Sequence, residues 1–334
     1  GNDGPLWQAA RGAGVLHLRG LAESQIGKML QTITGEDASP EQRQQLLERT
    51  DGNPFFLTEL IQLGASSKAM TLPDSIQQVI RQHLERLPTE TLALLETGAV
   101  IGREFGSADL IAVCDCTDIE TALAPALKLE IVQLAEAGQL RFSHIIYRDV
   151  IHADLEKGRC RELHLRYAQH LRSLIEAGQN HRWQELALHL ERSGGTEPSA
   201  WIESLRQAGS YARGIAAFED AASSLQKALA LLGEDPDTDP ARRCELLLEL
   251  AEVEMARGEI ESACDHCRNA FRIAGSLEDA ALMASAALVF GSAYVAANID
   301  EELVIMLEAA QAALPDTAAA ERAQVMARLA AALQ

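Results

Sequence analysis

Apolar residues recur at helical spacing along most of the chain, and turn formers interrupt the pattern at regular intervals. Residues 75–87 carry Ile76, Val79, Ile80, Leu84 and Leu87, the spacing of one apolar stripe. Pro88 opens a second helical pattern that runs to Val100, and Ala108 to Val113 and Asp118 to Leu129 continue it. Only residues 131–134 and 140–142 break the period; separated by Glu136, Ala137 and Gly138, they predict a β-hairpin. Ahead of this block, residues 23–33, 40–48 and 55–63 read as helices. A short β-leaning run, Val15, Leu16, His17 and Leu18, precedes them. The turn Thr50-Asp51-Gly52-Asn53-Pro54 leads into the third helix, with Asp51 or Asn53 as its cap and Pro54 in its first turn.

From Arg159 the helical pattern is almost unbroken, which calls for a search for repeats. An offset of 42 residues takes Gly209, Ala221 and Ala228 to Ala251, Ala263 and Ala270. A weaker third copy places Gly291 and Ala310, with Leu303 where the middle alanine should be. Small residues at such intervals are what helical hairpins need where their two helices approach closely and the next hairpin stacks on them. The unit resembles the tetratricopeptide repeat, lengthened by turns such as residues 233–240. The scaffold is expected from about Trp183, with a degenerate first hairpin over residues 183–211 and a final helix over residues 318–334 that belongs to a further unit. The fold class predicted is mainly α. Residues 1–68 form the tail of one domain with its helices, 69–158 a winged helix, and 159–334 an α-solenoid.

Charge and composition narrow the functions. The chain carries 29 Lys and Arg against 49 Asp and Glu, a net charge of -20, which repels phosphate backbones and disfavours direct DNA binding. The would-be recognition helix, residues 118–129, offers only Lys128 against Asp118 and Glu120. Six cysteines spread over 334 residues fit reduced thiols in a cytoplasmic setting rather than a disulfide framework. No apolar run reaches the roughly 18 residues of a membrane span. The absence of an initiator Met and the ending inside a helical pattern lead us to expect a piece of a longer protein.

No catalytic site can be assembled, so the chain is expected not to be an enzyme. The nearest approach to a P-loop, Gly20 to Gly27-Lys28-Met29, has the wrong spacing and lacks the hydroxyl that meets Mg²⁺. Cys264-Asp265-His266-Cys267 lacks a second ligand pair, which makes core packing the simpler reading, and Cys114-Asp115-Cys116 is read as a loop at a helix end. His164, His170 and His189 lie on charged helices and are read as structural. No metal site is expected.

Four stretches carry a family resemblance: Leu16-His17-Leu18-Arg19-Gly20-Leu21; residues 48–60 around Gly52-Asn53-Pro54; Leu72-Pro73 through Pro88 with residues 99–105; and Phe142-Ser143-His144 with Arg148 and Asp149. In order and spacing they are similar to STAND-type ATP-binding regulators of bacteria, including LuxR-family activators of the maltose-regulator kind and ATPase modules linked to nucleotide cyclases. The resemblance implies a lid and a winged helix that fold over a nucleotide-binding core, followed by repeats that receive an inducer or partner protein. It implies that Gly52, Asn53 and Pro54 sit against the nucleotide and that His144 reaches the ADP phosphate. The P-loop and the Mg²⁺-binding acid of that family are missing here. No cofactor is therefore expected in this chain, and ATP or ADP with Mg²⁺ in the parent. Its partners would be that core and whatever the repeats bind. The competing readings are a DNA-binding winged-helix transcription factor and a nucleotide-independent tetratricopeptide adaptor.

Overall fold

The computed structural model describes residues 20–35, 37–50, 52–54, 57–58, 61, 74–114, 116, 118–135, 139–233, 239–292 and 301–333. The expected β-leaning run at residues 15–18 lies outside them. The chain divides into two compact units, Gly1–His170 and Leu171–Gln334. The division falls inside one helix, Lys157–Glu176, and not at residue 159, where the helical pattern begins. The reason is visible in its side chains. Arg166 donates to the Val113 carbonyl at 3.2 Å, and His170 Nε2 lies 3.1 Å from Asp109, so the first part of the helix belongs to the preceding unit.

In the first unit, α1 (Glu23–Thr34) and α2 (Pro40–Thr50) pack with residues 57 and 61 of a following helical segment. Ile26, Leu30, Leu46, Leu57 and Ile61 form their common core. Next come α3 (Asp74–Leu84), α4 (Thr89–Ile101), β1 (Glu104–Phe105), α5 (Ser107–Val113) and α6 (Ile119–Lys128). The chain continues through β2 (Val132–Leu134), β3 (Leu140–Phe142) and α7 (Ile145–Asp154). The expected hairpin forms, with Val132 opposite Phe142 and Leu134 opposite Leu140.

A third strand, not anticipated from the pattern, completes an antiparallel sheet of order β1-β3-β2. Residues 104–105 are too short to show a period of two. What fixes them is tertiary: Phe105 is 1% exposed, its ring centroid is 5.4 Å from that of Phe142, and Phe105 pairs with Leu140. Gly98 on α4 makes room, since a Cβ there would lie 2.7 Å from the Phe105 ring. Asp118 caps α6 by accepting from the Thr121 N–H at 3.1 Å. α7 lies against α2, α3 and α4, and Arg81 clasps Asp154 through two bonds of 2.7 Å that tie α3 to its end.

The helix Lys157–Glu176 is α8. The second unit, which begins within it, is an α-solenoid of helical hairpins. It comprises α9 (Trp183–Arg192), α10 (Pro198–Gly214), α11 (Phe218–Leu231), α12 (Pro240–Arg257), α13 (Ile260–Ser276), α14 (Ala280–Ser292), α15 (Glu301–Ala313) and α16 (Ala319–Ala332). Each helix packs on the next, and α10, α12, α14 and α16 also touch their neighbours in that series. This is how stacked hairpins bury a continuous core. The sequence repeat maps directly onto it. Gly209, Ala251 and Gly291 lie on the first helices of their hairpins, and Ala221, Ala263 and Leu303 near the start of the second. All of these are buried, as are Ala228, Ala270 and Ala310.

Close approach is the reason for small residues. A Cβ on Gly209 would lie 2.9 Å from Leu225 Cγ and 3.3 Å from the Ala221 carbonyl oxygen. Ion pairs then link equivalent helices of successive hairpins: Lys227 to Glu191, Arg206 to Glu249, Arg213 to Glu252 and Arg268 to Glu302. These pairs are partly exposed, so each is worth at most about 1 kcal/mol, and their contribution is to register more than to stability.

Two glycines in similar helices should therefore respond oppositely. Gly209→Leu is expected to cost about 1–3 kcal/mol by overpacking against Leu225, read as a lower urea midpoint. Gly275→Ala, on an exposed part of α13 with nothing within 4 Å of its added Cβ, is expected to stabilise by about 0.5 kcal/mol. A neutral Gly209→Leu would contradict the close approach of α10 and α11.

Candidate functional site

The turn after α2 starts from a buried hydroxyl. Thr50 is 0% exposed, and its Oγ1 donates to the Leu46 carbonyl at 2.7 Å and accepts from the Gly52 N–H at 3.3 Å. Gly52 has φ of +71°, and its carbonyl accepts from the Leu21 N–H at 2.7 Å. An added Cβ would lie 2.5 Å from the Leu21 nitrogen. Glycine is thus required twice, by the left-handed backbone and by the neighbouring chain. The Asn53 N–H donates to the Thr50 carbonyl, and the Asn53 carbonyl accepts from the Leu57 N–H, both at 2.9 Å, so Asn53 begins the next helix with Pro54 in its first turn. Asp51, the other cap expected from the sequence, lies outside the described residues.

This geometry refines the site drawn from the sequence. Gly52 is buried with its open side closed by Leu21, whereas Asn53 is half-buried and Pro54 exposed. Gly52 shapes the turn. Any ligand-facing surface of the turn belongs to Asn53 and Pro54.

His144 follows β3 in extended backbone, with φ of -133° and ψ of 140°, and occupies the position before α7. Its carbonyl accepts from the Tyr147 N–H at 3.1 Å, but its half-buried ring does not cap the helix. Arg148 has a structural task, donating Nε–H to the Ala99 carbonyl at 3.1 Å and pairing with Asp149 at 3.2 Å. α2, which leads into the Gly52 turn, packs against α7, which begins after His144.

The cysteine motif of α13 does not converge. Cys264 and Cys267 are buried in the core with Ala251 and Phe290. His266 Nδ1 instead lies 2.7 Å from Glu254, and Asp265 accepts from Arg268 at 2.6 Å. Burial pushes the Cys267 thiol up to about 12 and the Cys244 thiol up to about 11. Both thiols are packing groups, and neither is a nucleophile at neutral pH. His164 and His189, set aside as residues of charged helices, are each 1% exposed. His164 in fact meets His152 of α7 and Cys160 of its own helix, each offering one ligand atom within 4.8 Å of the others. The available sequence signal was a cysteine and a histidine four apart on one helix, with a histidine eight residues earlier.

The solenoid holds an open cavity of about 300 Å³ between α9, α10 and α11. His181, Gln184, Asp220 and Ser224 line it with Tyr211 and Ile215, which are 38% and 62% exposed. Polar groups that converge on an apolar floor are the usual composition of a small-ligand or peptide pocket.

No family model matches the chain, and no curated protein matches it. Among solved structures, it is similar to the crystal structure of a Signal Transduction ATPase with Numerous Domains (STAND) protein with a tetratricopeptide repeat sensor from Pyrococcus horikoshii. Identity is 17% and the TM-score 0.36, over 93% of this chain and 50% of that one. The chain spans half the length of that structure.

The buried thiols carry a pH dependence with a definite sign. Their folded pKa values lie above the free-thiol value of about 8.5, so the stability they contribute is complete below that pH and is lost as pH rises through 11 to 12. Urea unfolding between pH 8 and 11 should show a declining midpoint, with a shallower decline in Cys267→Ala. Native alkylation at pH 7 should spare Cys244 and Cys267. Rapid labelling of either in the folded chain would contradict their burial.

Proposed function

We propose that this chain is the regulatory and sensing part of a STAND ATPase signal transducer, with no nucleotide-hydrolysing centre of its own. The observation that carries the reading is the seating of α2 on α7. α2 leads into the Gly52 turn and α7 begins after His144, two elements that the sequence resemblance assigns to one nucleotide. The order α4-β1-α5-α6-β2-β3 with β3 central supports reading residues 69–158 as a winged helix, and α1, α2 and the helix after Pro54 as the lid. Its acidic balance favours packing on a protein core over docking on DNA.

In this reading, ADP or ATP with Mg²⁺ is held mainly by a P-loop core elsewhere in the parent protein. Asn53 and Pro54 at the rim of the turn would line part of that site, and the His144 imidazole would supply a hydrogen-bond donor for a phosphate oxygen. An imidazole so placed makes domain position depend on the number of phosphates present. The hairpin stack is the sensing surface, and the cavity beside Tyr211 and Ile215 is a candidate binding pocket on it. An inducer or partner bound there acts by favouring one arrangement of the domains over another, which requires unequal affinity for the two.

Calorimetric titration of this chain with ATP and with ADP is expected to show nothing tighter than about 1 mM, weaker than about 4 kcal/mol. Micromolar binding would show that the chain holds a nucleotide centre of its own. In a longer protein that includes the core, His144→Ala is expected to lower ADP occupancy and raise basal activity. Unchanged ADP retention would remove His144 from the mechanism.

A further inference from the structure

We propose that His152, Cys160 and His164 form a binding site for a zinc-class divalent cation that fastens α7 to α8. His152 lies in the last turn of α7, and Cys160 and His164 lie one helical turn apart on α8, across the bend at Leu155 and Glu156. Residues four apart face the same way on a helix, so the two α8 ligands are presented together and His152 reaches them from the neighbouring helix.

The distances suit a tetrahedral ion. Zinc bonds of about 2.05 Å to nitrogen and 2.3 Å to sulfur separate two such ligands by about 3.6 Å at a tetrahedral angle. Cys160 Sγ and His152 Nε2 are 3.8 Å apart, and all three ligand atoms fall within 4.8 Å of one another. The Cys160–His152 pair is already close to that separation, and side-chain rotation would draw the third ligand atom in to close the site. The rings of His152 and His164 meet edge to face, with centroids 6.2 Å apart.

Chemistry selects the ion class. Two imidazoles and a thiolate are borderline-to-soft donors suited to Zn²⁺ or Co²⁺, while Mg²⁺ and Ca²⁺ demand oxygen ligands. Binding displaces the Cys160 proton to solvent and leaves the fourth position to water or an incoming donor. His164 is 1% exposed, whereas His152 and Cys160 are half-buried, so the cluster has a buried anchor and an accessible mouth. Rival thiols are poorly placed. Cys267 is buried with its pKa pushed up, and Cys116 donates its thiol to Glu90 at 3.4 Å.

The test is a titration of the whole chain, freed of metal with a chelator, with Co²⁺ alone. The expected result is a thiolate-to-cobalt charge-transfer band in the near ultraviolet and visible bands of four-coordinate intensity, saturating at one ion per chain and bleached by Zn²⁺. Cys160→Ser should abolish the charge-transfer band. His152→Ala should weaken Co²⁺ binding at least about tenfold, the scale seen when a metal site loses a supporting group. Cys264→Ser should change nothing. Zn²⁺ should raise the melting temperature of the unaltered chain but not of Cys160→Ser, whose fold is checked by circular dichroism. A spectrum without charge transfer at saturating Co²⁺ overturns the proposal, as does a band that survives in Cys160→Ser.

Discussion

The second unit depends on one steric constraint: its paired helices approach closely, and most of the repeated positions at that approach carry glycine or alanine. Gly209 meets Leu225 and the Ala221 carbonyl, and Ala228, Ala251, Ala263, Ala270 and Ala310 are all 0% exposed. Short side chains bury little apolar surface each, so stability accumulates hairpin by hairpin through neighbour contacts, as in other helical arrays. Where a larger residue stands at the equivalent place, as Leu303 does, it packs into the layer with Phe290 and Met306. The same constraint shapes binding, because close pairs of helices leave their free space in grooves between hairpins. The cavity flanked by Tyr211 and Ile215 lies in such a groove.

The first unit solves its packing differently. A small sheet supplies two phenylalanines, Phe105 and Phe142, around which α4, α6 and α7 collect their aliphatic residues. Its small residues mark single points, not a seam: Gly98 beneath Phe105, and Gly52 beneath Leu21. α8 spans the division between the two units. Its first half is bound to the sheet-bearing unit by Arg166 and His170, while Arg172, two residues further on, pairs with Glu197 just before α10.

Much of this was legible in the sequence, for identifiable reasons. The hairpin stack showed itself because packing geometry imposes a repeat, and the offset from Gly209 to Ala251 is the distance from one first helix to the next. The hairpin of β2 and β3 was legible because its strands alternate around a turn. Strand β1 was not, since two residues carry no period and its position comes from Phe142 across space. Gly52, Asn53 and Pro54 were recognisable as a turn, but the sequence did not say that Leu21 closes over Gly52 and leaves the rim to its neighbours. The cluster of His152, Cys160 and His164 was missed because its members belong to two helices whose pairing no local pattern encodes.

On the proposed function, half of a nucleotide-dependent switch lies in this chain and the other half in a core that it packs against. The most direct measurement is the ADP affinity of a separately produced P-loop core with and without this chain. The account predicts that the chain tightens ADP binding at least about tenfold, or 1.4 kcal/mol, and that the chain carrying His144→Ala does so much less. An ADP affinity unchanged by saturating amounts of the chain would contradict it.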